Sequence, residues 1–501
     1  MNVIAENKTW FKGARCTTMT TVHKIIGPPG TGKTTKLLSI LEKELETVDP
    51  SHIAYVSFTR AAVYEARGRA TGLVGCGSSG GASYEWFRTL HSLCFRALGL
   101  TRDQTVTPRR LEEFGKTVGL NIIVRGRADE APDFGRKTIG NSIYAEYQRS
   151  RTSGQWFDPT RLVPEATEHH WRYFMEQYAE WKFRNNMVDF QDFLDRFLIE
   201  RPEVDVEAVI IDEAQDLSET QWQVVEAFAS NAERLYIAGD PNQAIYGFAG
   251  ADPDGFNSHF PDANVEVLPK SYRMPSQIHA FSKKVEARIG TDHQFEPSEI
   301  GGGVYHYGPA FDMPELEMYE GSWLMLYRNR YQQGVIEMLL RTRGFRYSVN
   351  GSNDRFAKEA QAIINWMRPI TLPGKALKAM VPYLDDAPKR FADNLTETSE
   401  DTYDLDTRGV PWYNALTKLM NMDYLLMLSA NGALLEPSRI TLSTIHAAKG
   451  GEADHVAVWP DQSPACLNNV DSEDRVFYVA ATRAKKTLHI MHPQTEIYYA
   501  Y

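Results

Sequence analysis

The sequence predicts an α/β fold built from two parallel-sheet domains, each carrying a helical insertion. In both halves of the chain, short apolar runs typical of buried strands alternate with segments of helical periodicity. The 501 residues are 43% hydrophobic and 24% charged, which provides apolar material for more than one core and excludes a disordered chain. Because no apolar run reaches about 18 residues, we expect no membrane span.

Four short apolar runs in the first half predict strands. They are Val22–Ile26, His52–Ser57, Ala208–Ile211 and Leu235–Ala238. Helical spacing predicts a helix over Lys36–Thr47 and mostly helical structure over 82–200. The Gly-rich stretch 71–81 predicts a loop.

A second series of strands is predicted to begin near Val265, and it indicates a second α/β domain. Its further members are Val304–Tyr307, Trp323–Tyr327, Ile440–Ser443, His455–Trp459 and Thr487–Ile490. A helix is predicted over Glu473–Lys486. An insertion of about 365–437 interrupts this series; it is helical in places and contains an acidic stretch, for which an exposed surface is expected.

Charge is distributed unevenly along the chain. The 54 Lys and Arg against 65 Asp and Glu give a net charge of −11, yet the segment from Arg60 to Arg161 contains 16 basic and 10 acidic residues. A basic region in an acidic protein indicates either a surface for phosphate groups or chance clustering on a solvated face.

Cysteine usage and the N-terminal segment bear on the compartment. The cysteines form no CxxC pair and are expected to be reduced thiols; they are Cys16, Cys76, Cys94 and Cys466. The N-terminal segment lacks the apolar core of a signal peptide, so a cytoplasmic location is expected.

The segment from Gly27 to Thr35 contains a complete P-loop, which follows a predicted strand and opens a predicted helix. Its candidate nucleotide-binding residues are Gly27, Pro28, Pro29, Gly30, Thr31, Gly32, Lys33, Thr34 and Thr35. The glycines allow backbone amides to converge on phosphate oxygens, Lys33 is expected at the β- and γ-phosphates, and Thr34 is expected to coordinate Mg²⁺. We therefore predict a site for ATP and Mg²⁺, with a plain Gly-rich turn as the alternative.

A pair of carboxylates follows the predicted strand Ala208–Ile211. Asp212 is expected to hold Mg²⁺ at the carboxyl end of this strand, where ligands bind in open parallel sheets. Glu213 is the candidate to orient and deprotonate an attacking water. The alternative is that the pair caps a helix. The two motifs together predict an NTPase, without distinguishing kinases, GTPases, transporters and motors.

Together with these motifs, further blocks of the sequence resemble the UvrD/Rep-type superfamily 1 DNA helicases. Nine blocks follow the family's order and span nearly the whole chain, from SFTRAAVYEARGR after the P-loop to EDRVFYVAATRAKK near the end. They cover 57–69, 89–98, 187–197, 212–216, 237–252, 268–278, 326–351, 440–460 and 473–486. The resemblance implies an α/β fold of two RecA-like P-loop domains with parallel sheets and a helical insertion in each.

The resemblance also implies the boundaries of these domains. The first RecA-like domain would comprise 1–90 and 181–264, around a helical insertion at 91–180. The second would comprise 265–364 and 438–501, around a reduced accessory insertion at 365–437.

Residue roles at the nucleotide follow from the resemblance. Gln243 would sense the γ-phosphate and report it to DNA, while Tyr272 would stack on the base and Arg273 beside it would touch the γ-phosphate. Glu452 would bind the ribose. Arg483, on a predicted helix of the second domain, would be an arginine finger, because positive charge stabilises the phosphoryl transition state. For both arginines the alternative is a surface salt bridge.

A track for single-stranded DNA is implied in the same way. Aromatic faces stack on any base, which suits a motor that does not distinguish sequences. The candidate DNA-binding residues are Phe58, Arg60, His91, Tyr246, Phe248 and His446. For the aromatic residues a role in the core is the alternative.

The sequence departs from the family pattern in three places. No glutamine precedes Gln104, which puts the usual reader of adenine in doubt. Phe248 and Ala249 stand where a tryptophan and an arginine are usual, which predicts a weaker grip on DNA. The reduced accessory insertion and the early end after the last block predict a compact member of the family, for which a phage origin is expected.

These observations predict an ATP-dependent DNA helicase that translocates on single strands, with 3′→5′ polarity implied by the resemblance. Expected partners are single-stranded DNA, junctions of single- and double-stranded DNA, and proteins of replication or repair. One alternative is an ATP-gated protein that binds strands or displaces proteins without unwinding a duplex. A small-molecule kinase is a further alternative, with ATPase activity independent of DNA.

Overall fold

The computed structural model describes the chain in segments and divides it into two compact units. The described residues are 20–57, 60–74, 84–123, 138–152, 166–247, 250–308, 318, 320–350, 356–367, 371–384, 402–404, 410–434, 436–468 and 470–501. The first unit comprises Met1–Tyr272 and His293–Glu296, and the second comprises Arg273–Asp292 and Pro297–Tyr501.

The first unit is organised around a parallel sheet of six strands within the described residues. In chain order the strands are β1 (Thr21–Ile26), β2 (Ile53–Ser57), β3 (Phe87–Arg88), β4 (Ala208–Asp212), β5 (Arg234–Gly239) and β6 (Asn264–Val267). They lie in the spatial order β3-β2-β4-β5-β1-β6. Every residue of β2 and β4 is buried, as expected for central strands of a sheet that is covered on both faces.

Helices of the first unit lie on both faces of this sheet, and those between 108 and 184 share a separate core of their own. The helices are α1 (Lys33–Glu44), α2 (Arg60–Val74), α3 (Leu90–Ala97), α4 (Pro108–Thr117), α5 (Ile139–Thr152), α6 (Glu168–Arg184), α7 (Phe190–Glu200), α8 (Glu219–Ala229) and α9 (Gly255–Ser258). Alternate residues of β4 face opposite sides: Ile210 packs with Leu41 of α1, whereas Val209 packs with Leu194 of α7 and Trp222 of α8. The prediction of mostly helical structure over 82–200 is confirmed for the described residues.

Two predicted boundaries in the first unit need correction. The helix after the P-loop begins at Lys33 and ends at Glu44, because the left-handed Gly32 leads directly into it. Helix α2 continues to Val74, so residues 71–74 are helical and the rest of the predicted loop, 75–81, lies outside the described residues.

The strand near Val265 belongs to the first sheet rather than to the second domain. Strand β6 pairs in parallel with β1, from His23↔Asn264 to Ile26↔Val267. All four residues of β6 are exposed, as on an edge strand, and such a short run carries no local signal of which sheet it joins. The first compact unit accordingly extends to Tyr272.

The second unit has its own parallel sheet, again of six strands within the described residues. The strands are β7 (Gly303–His306), β8 (Trp323–Tyr327), β9 (Tyr347–Val349), β12 (Ile440–Thr444), β13 (Ala453–Trp459) and β14 (Ala484–Ile490), and their spatial order is β7-β14-β13-β8-β12-β9. A separate antiparallel pair, β10 (Thr371–Pro373) with β11 (Thr402–Asp404), lies in the predicted accessory insertion.

Helices surround the second sheet. They are α10 (Ser276–Ile289), α11 (Gln333–Thr342), α12 (Ala357–Met367), α13 (Gly374–Met380), α14 (Trp412–Ala415), α15 (Met422–Ala430) and α16 (Val470–Ala481). Leu340 of α11, Ile363 of α12 and Leu425 of α15 share one core with Met325 and Leu442 of the sheet. The predicted helix over 473–486 was too long at its C-terminal end, because the alternating burial of 484–490 belongs to β14.

Two further observations concern the cysteines and membrane spans. Cys94 and Cys466 are buried free thiols, as predicted, while Cys16 and Cys76 lie outside the described residues. Among the helices in the described ranges, none combines the length and apolar character that a membrane crossing requires.

Candidate functional site

The P-loop lies between β1 and α1 and is fixed to the neighbouring strand. Gly27 N–H donates to the carbonyl oxygen of Gly239, at the end of β5, at 2.9 Å. Gly30 and Gly32 have φ angles of 73° and 81°, a left-handed conformation that favours glycine. A Cβ on Gly27 would lie only 1.9 Å from Lys33 Cγ, so this glycine leaves room for the lysine.

Lys33 and Thr34 begin α1 and point to two different partners. Lys33 Nζ donates to the carbonyl oxygen of Gly27 at 2.6 Å, so its amine lies over the loop. Thr34 Oγ1 donates to Asp212 Oδ2 at 3.1 Å. The structure therefore brings together the P-loop and the acidic motif that the sequence placed at the end of a separate strand.

Asp212 ends β4, and its side chain is buried. Burial and the neighbouring Glu213 raise the pKa of Asp212 to about 6, against the opposing effect of Lys33. A hydroxyl and a carboxylate at this distance are oxygen donors of the kind that Mg²⁺ prefers, so Thr34 and Asp212 fit the predicted ion.

Glu213 adopts an unusual backbone conformation, with φ 58° and ψ 38°. A non-glycine residue in this left-handed region costs about 1–3 kcal/mol, and such residues cluster at functional sites. Its Oε2 accepts a hydrogen bond from Gln215 Nε2 at 2.5 Å. Gln215 Oε1 in turn accepts from the backbone N–H of Asp240 at 3.0 Å, so Glu213 is tied to the end of β5.

Gln243 is linked to the same group of side chains. Its Nε2 donates to Asp240 Oδ2 at 2.6 Å. Burial raises the pKa of the Asp240 carboxyl, while Lys33, Gln243 and His293 act in the opposite direction. Sequence reasoning missed the connecting roles of Gln215 and Asp240, although both stand in the acidic motif or at the strand end that it had singled out.

Tyr272 lies beside the P-loop. Its backbone N–H donates to the carbonyl oxygen of Gly30 at 2.8 Å, and Ser271 Oγ donates to that of Pro29 at 2.8 Å. The Tyr272 side chain is 69% exposed, so its ring offers an open face next to the loop.

Arg273 and Glu452 form an ion pair in the second unit, although each was expected to contact the nucleotide. Arg273 Nε donates to Glu452 Oε2 at 2.8 Å, and Lys485 Nζ lies 2.5 Å from Glu452 Oε1. Partial burial would raise the pKa of Glu452, but Lys485 and Arg273 together lower it. Arg273 thus forms a salt bridge in the structure, which is the alternative that the sequence left open.

Arg483 lies in the two-residue turn between α16 and β14, and the prediction that it stands on a helix is wrong at this point. The helix ends at Ala481 because the chain turns there into the last strand. The side chain is 2% exposed. Its Nε donates to the carbonyl oxygen of Val479 at 3.0 Å, and Nη1 donates to that of Gly451 at 3.3 Å. The backbone thus fixes this guanidinium in place.

The structure describes only part of the predicted DNA track. Phe58 and Phe248 lie outside the described residues, and Arg60 begins α2 with its side chain outside them. His91, at the start of α3, packs edge-on against Phe190 with 5.9 Å between ring centroids. Burial lowers the pKa of His91 to about 4, so this ring is neutral near pH 7.

Tyr246 and His446 are partly buried. Burial and the carboxylates of Asp216 and Glu213 raise the pKa of Tyr246, so the hydroxyl of this residue lies within electrostatic reach of the acidic motif. His446 follows β12 in the second unit.

Two protein-family models match separate segments of the chain. The model of the UvrD/REP helicase N-terminal domain matches residues 11–264, and that of the UvrD-like helicase C-terminal domain matches residues 375–495. The chain is 24% identical over 387 residues to the ATP-dependent DNA helicase PcrA of Staphylococcus aureus. The aligned region covers 69% of this chain and 51% of that protein. It is also 24% identical over 383 residues to the ATP-dependent DNA helicase PcrA of Bacillus subtilis, in a region that covers 69% of this chain and 50% of that protein. The chain thus spans about half the length of the curated relatives it matches.

Proposed function

The chain belongs to the UvrD/REP helicase family, and on this premise we propose that it is an ATP-dependent DNA helicase that translocates on single-stranded DNA. The observation that carries the proposal is the connected set of side chains beside the P-loop. Thr34 contacts Asp212, and Gln215 ties Glu213 to the strand end that also holds Gln243. The P-loop, the acidic motif and Gln243 are therefore linked within one unit.

The proposed chemistry uses each of these groups in one role. Lys33 places positive charge at the β- and γ-phosphates, and Thr34 and Asp212 hold Mg²⁺, which supplies charge neutralisation to the phosphates when bound. Glu213 orients the attacking water and accepts its proton. Gln215 holds the Glu213 carboxylate in place through the hydrogen bond at 2.5 Å.

Coupling to DNA is proposed to run through the segment after β5. Gln243, bonded to Asp240, is followed within a few residues by Tyr246 and by Phe248. A shift of Gln243 at the γ-phosphate would therefore move the aromatic residues that follow it. Stacking on bases would let the strand be held without sequence preference.

The second unit supplies most of the remaining proposed contacts. Arg273 and Arg483 would compensate charge on the γ-phosphate and Glu452 would bind the ribose, while Tyr272 of the first unit would stack on the base. Glu452 is paired with Arg273 and Lys485. If Glu452 or Arg273 binds the nucleotide, the ion pair between these two residues must therefore rearrange. Polarity of 3′→5′, junction binding and partners in replication or repair are proposals that rest on the resemblance, and a cytoplasmic location is proposed with them.

ATP hydrolysis and unwinding, measured separately, test the proposal. We expect single-stranded DNA to stimulate ATPase activity, and we expect unwinding of duplexes with a 3′ tail but not a 5′ tail. Glu213→Gln serves as the inactive control for both assays. Stimulated ATPase with no unwinding of either duplex would favour the protein-displacing alternative, and ATPase that ignores DNA would contradict both.

A further inference from the structure

A second group of charged side chains lies in the first unit, on residues that the proposed ATPase does not use. Glu219 is the first residue of α8, Asp252 precedes α9, and His259 follows α9. Each offers one donor atom, and these atoms all lie within 4.8 Å of one another. Within the group, His259 Nε2 lies 3.3 Å from Glu219 Oε2. Donors around a tetrahedral Zn²⁺ are separated by roughly this distance, since each lies about 2.0–2.2 Å from the ion.

The imidazole of His259 is held from several sides. Its Nδ1 lies 2.7 Å from Glu226 Oε1, the arrangement in which a second carboxylate fixes the tautomer of a metal-binding histidine. Trp222 stacks on the ring with 5.0 Å between centroids and 11° between planes. The backbone oxygen of His259 accepts from Lys24 Nζ at 2.5 Å. With Nδ1 held by Glu226, Nε2 is left directed towards Glu219 Oε2.

An independent observation comes from Trp222. Its side chain is fully buried, and within the described part of the chain no acceptor reaches its Nε1. A Cβ placed on Gly255 would lie 2.4 Å from Trp222 Nε1 and 3.0 Å from Asp252 Oδ2, so both atoms lie close to the same side of Gly255. A buried donor without an acceptor costs about 1–3 kcal/mol, which a water on a bound ion or a reoriented Asp252 carboxylate would remove.

We propose that Glu219, Asp252 and His259 bind a divalent transition-metal ion such as Zn²⁺, with Glu226 as the residue that positions the imidazole. One imidazole and two carboxylates suit an ion of this kind better than Ca²⁺ or Mg²⁺, which prefer oxygen ligands alone. All three side chains are partly exposed, so the ion can enter.

The ion would act as a clamp on the segment between β5 and β6. Asp252 N–H already donates to the carbonyl oxygen of Leu217 at 3.0 Å, and Ser218 pairs with Ala251. A metal shared by Glu219 and Asp252 would strengthen this connection between the start of α8 and the end of the loop that carries Tyr246. The clamp would stabilise the loop without taking part in hydrolysis.

Zn²⁺ binding measured by isothermal titration and by metal analysis after gel filtration tests the proposal. The protein is first stripped with a chelator and kept free of nucleotide. We expect wild type to bind one more Zn²⁺ per chain than His259→Gln or Asp252→Asn, and to gain thermal stability only where that ion binds. Glu226→Gln should weaken this binding by roughly 10–100-fold, as for other residues that orient a metal ligand.

The control variant is His169→Gln, which removes an exposed histidine of α6 and should bind Zn²⁺ as wild type does. The two ligand variants are independent, so failure of one to fold leaves the other to decide. If wild type and the folded variant bind equal amounts of Zn²⁺ with equal affinity, the proposal is overturned. The cluster is then an ion-pair network between His259 and its carboxylates.

Discussion

Thr34 and Asp212 are in direct contact, with 3.1 Å between the donating hydroxyl and the accepting carboxylate, although they lie 178 positions apart in the sequence. Each follows a strand of the same parallel sheet, Thr34 after β1 and Asp212 at the end of β4. The carboxyl ends of parallel strands meet at one edge, so the contact results from the strand order. It places a hydroxyl and a carboxylate where one Mg²⁺ could use both.

We expect Glu213→Gln to abolish ATP turnover while ATP still binds, because the substitution removes the group that accepts a proton from water and leaves the P-loop unchanged. Steady-state ATPase and nucleotide binding by fluorescence would measure the two effects. Retention of more than half the wild-type rate would contradict the role of Glu213.

A second substitution tests how Glu213 is positioned. Gln215→Asn keeps the amide but shortens the side chain, so it cannot span from Glu213 to Asp240. We expect kcat to fall about 100-fold with KM for ATP nearly unchanged, because the carboxylate loses its orientation. A rise in KM at constant kcat would show instead that Gln215 supports nucleotide binding.

Removing the ring of Tyr272 tests base stacking. The ring is exposed beside Gly30, so Tyr272→Ala should raise KM for ATP and GTP alike by roughly tenfold, while Tyr272→Phe should behave as wild type. Because the ring is exposed, the melting temperature should not change. An effect on ATP alone would mean that this position distinguishes the two bases.

Arg483 has two testable roles. As an arginine finger, its loss in Arg483→Ala should lower DNA-stimulated kcat by roughly 10³-fold with ATP affinity nearly intact. Because the guanidinium is buried on backbone carbonyls, the variant should also lose about 1–3 kcal/mol of unfolding free energy. Arg109→Ala, at an exposed arginine of α4, is the matched control. A loss of stability with unchanged kcat would make Arg483 purely structural.

The pKa of His91 predicts a dependence of stability on pH. Burial lowers it from an ordinary value near 6.5 to about 4, so between these values the unfolded chain binds a proton that the folded chain does not. This contribution to stability is present above pH 6.5 and is lost as the pH falls towards 4. Between pH 7 and pH 5 it amounts to about 2 kcal/mol.

Denaturant unfolding at pH 7 and pH 5 measures this difference. His91→Phe keeps an aromatic ring against Phe190 and should remove about 2 kcal/mol of the loss seen in wild type. His169→Phe, at an exposed position, should leave the loss unchanged. An identical pH dependence in His91→Phe and wild type would show that the imidazole is solvated and titrates normally.

Local patterns in the sequence predicted the fold class and the centre of the site. The P-loop, Asp212 and Glu213 are each defined by a strand and the residues immediately after it, so neighbouring residues carried enough information. The sequence could not predict which sheet β6 joins. Its four residues are exposed, so their pairing depends on which sheet edge lies nearby in the folded protein. The turn at Arg483 was missed because no glycine or proline follows Ala481 to signal the end of the helix.

Contacts between distant residues were beyond the sequence for a different reason. The pairing of Arg273 with Glu452 joins side chains 179 positions apart, and nothing in either motif indicates it. The link from Glu213 through Gln215 to Asp240 likewise depends on the spacing of β4 and β5. Such pairings depend on the spatial order of the strands. The hydrophobic periodicity of the sequence gives no information about that order.

Residues His293–Glu296 belong to the first unit although the chain has already entered the second unit at Arg273. This arrangement affects the order in which the two units can fold during synthesis. Lys270 pairs with Glu296, and Asn242 contacts His293, so these late residues complete the first unit. A ribosome must therefore expose residue 296 before that unit can close, and by then it has also released all of α10, which belongs to the second unit. A nascent chain arrested after Tyr272 should resist proteases less well than one arrested beyond Glu296.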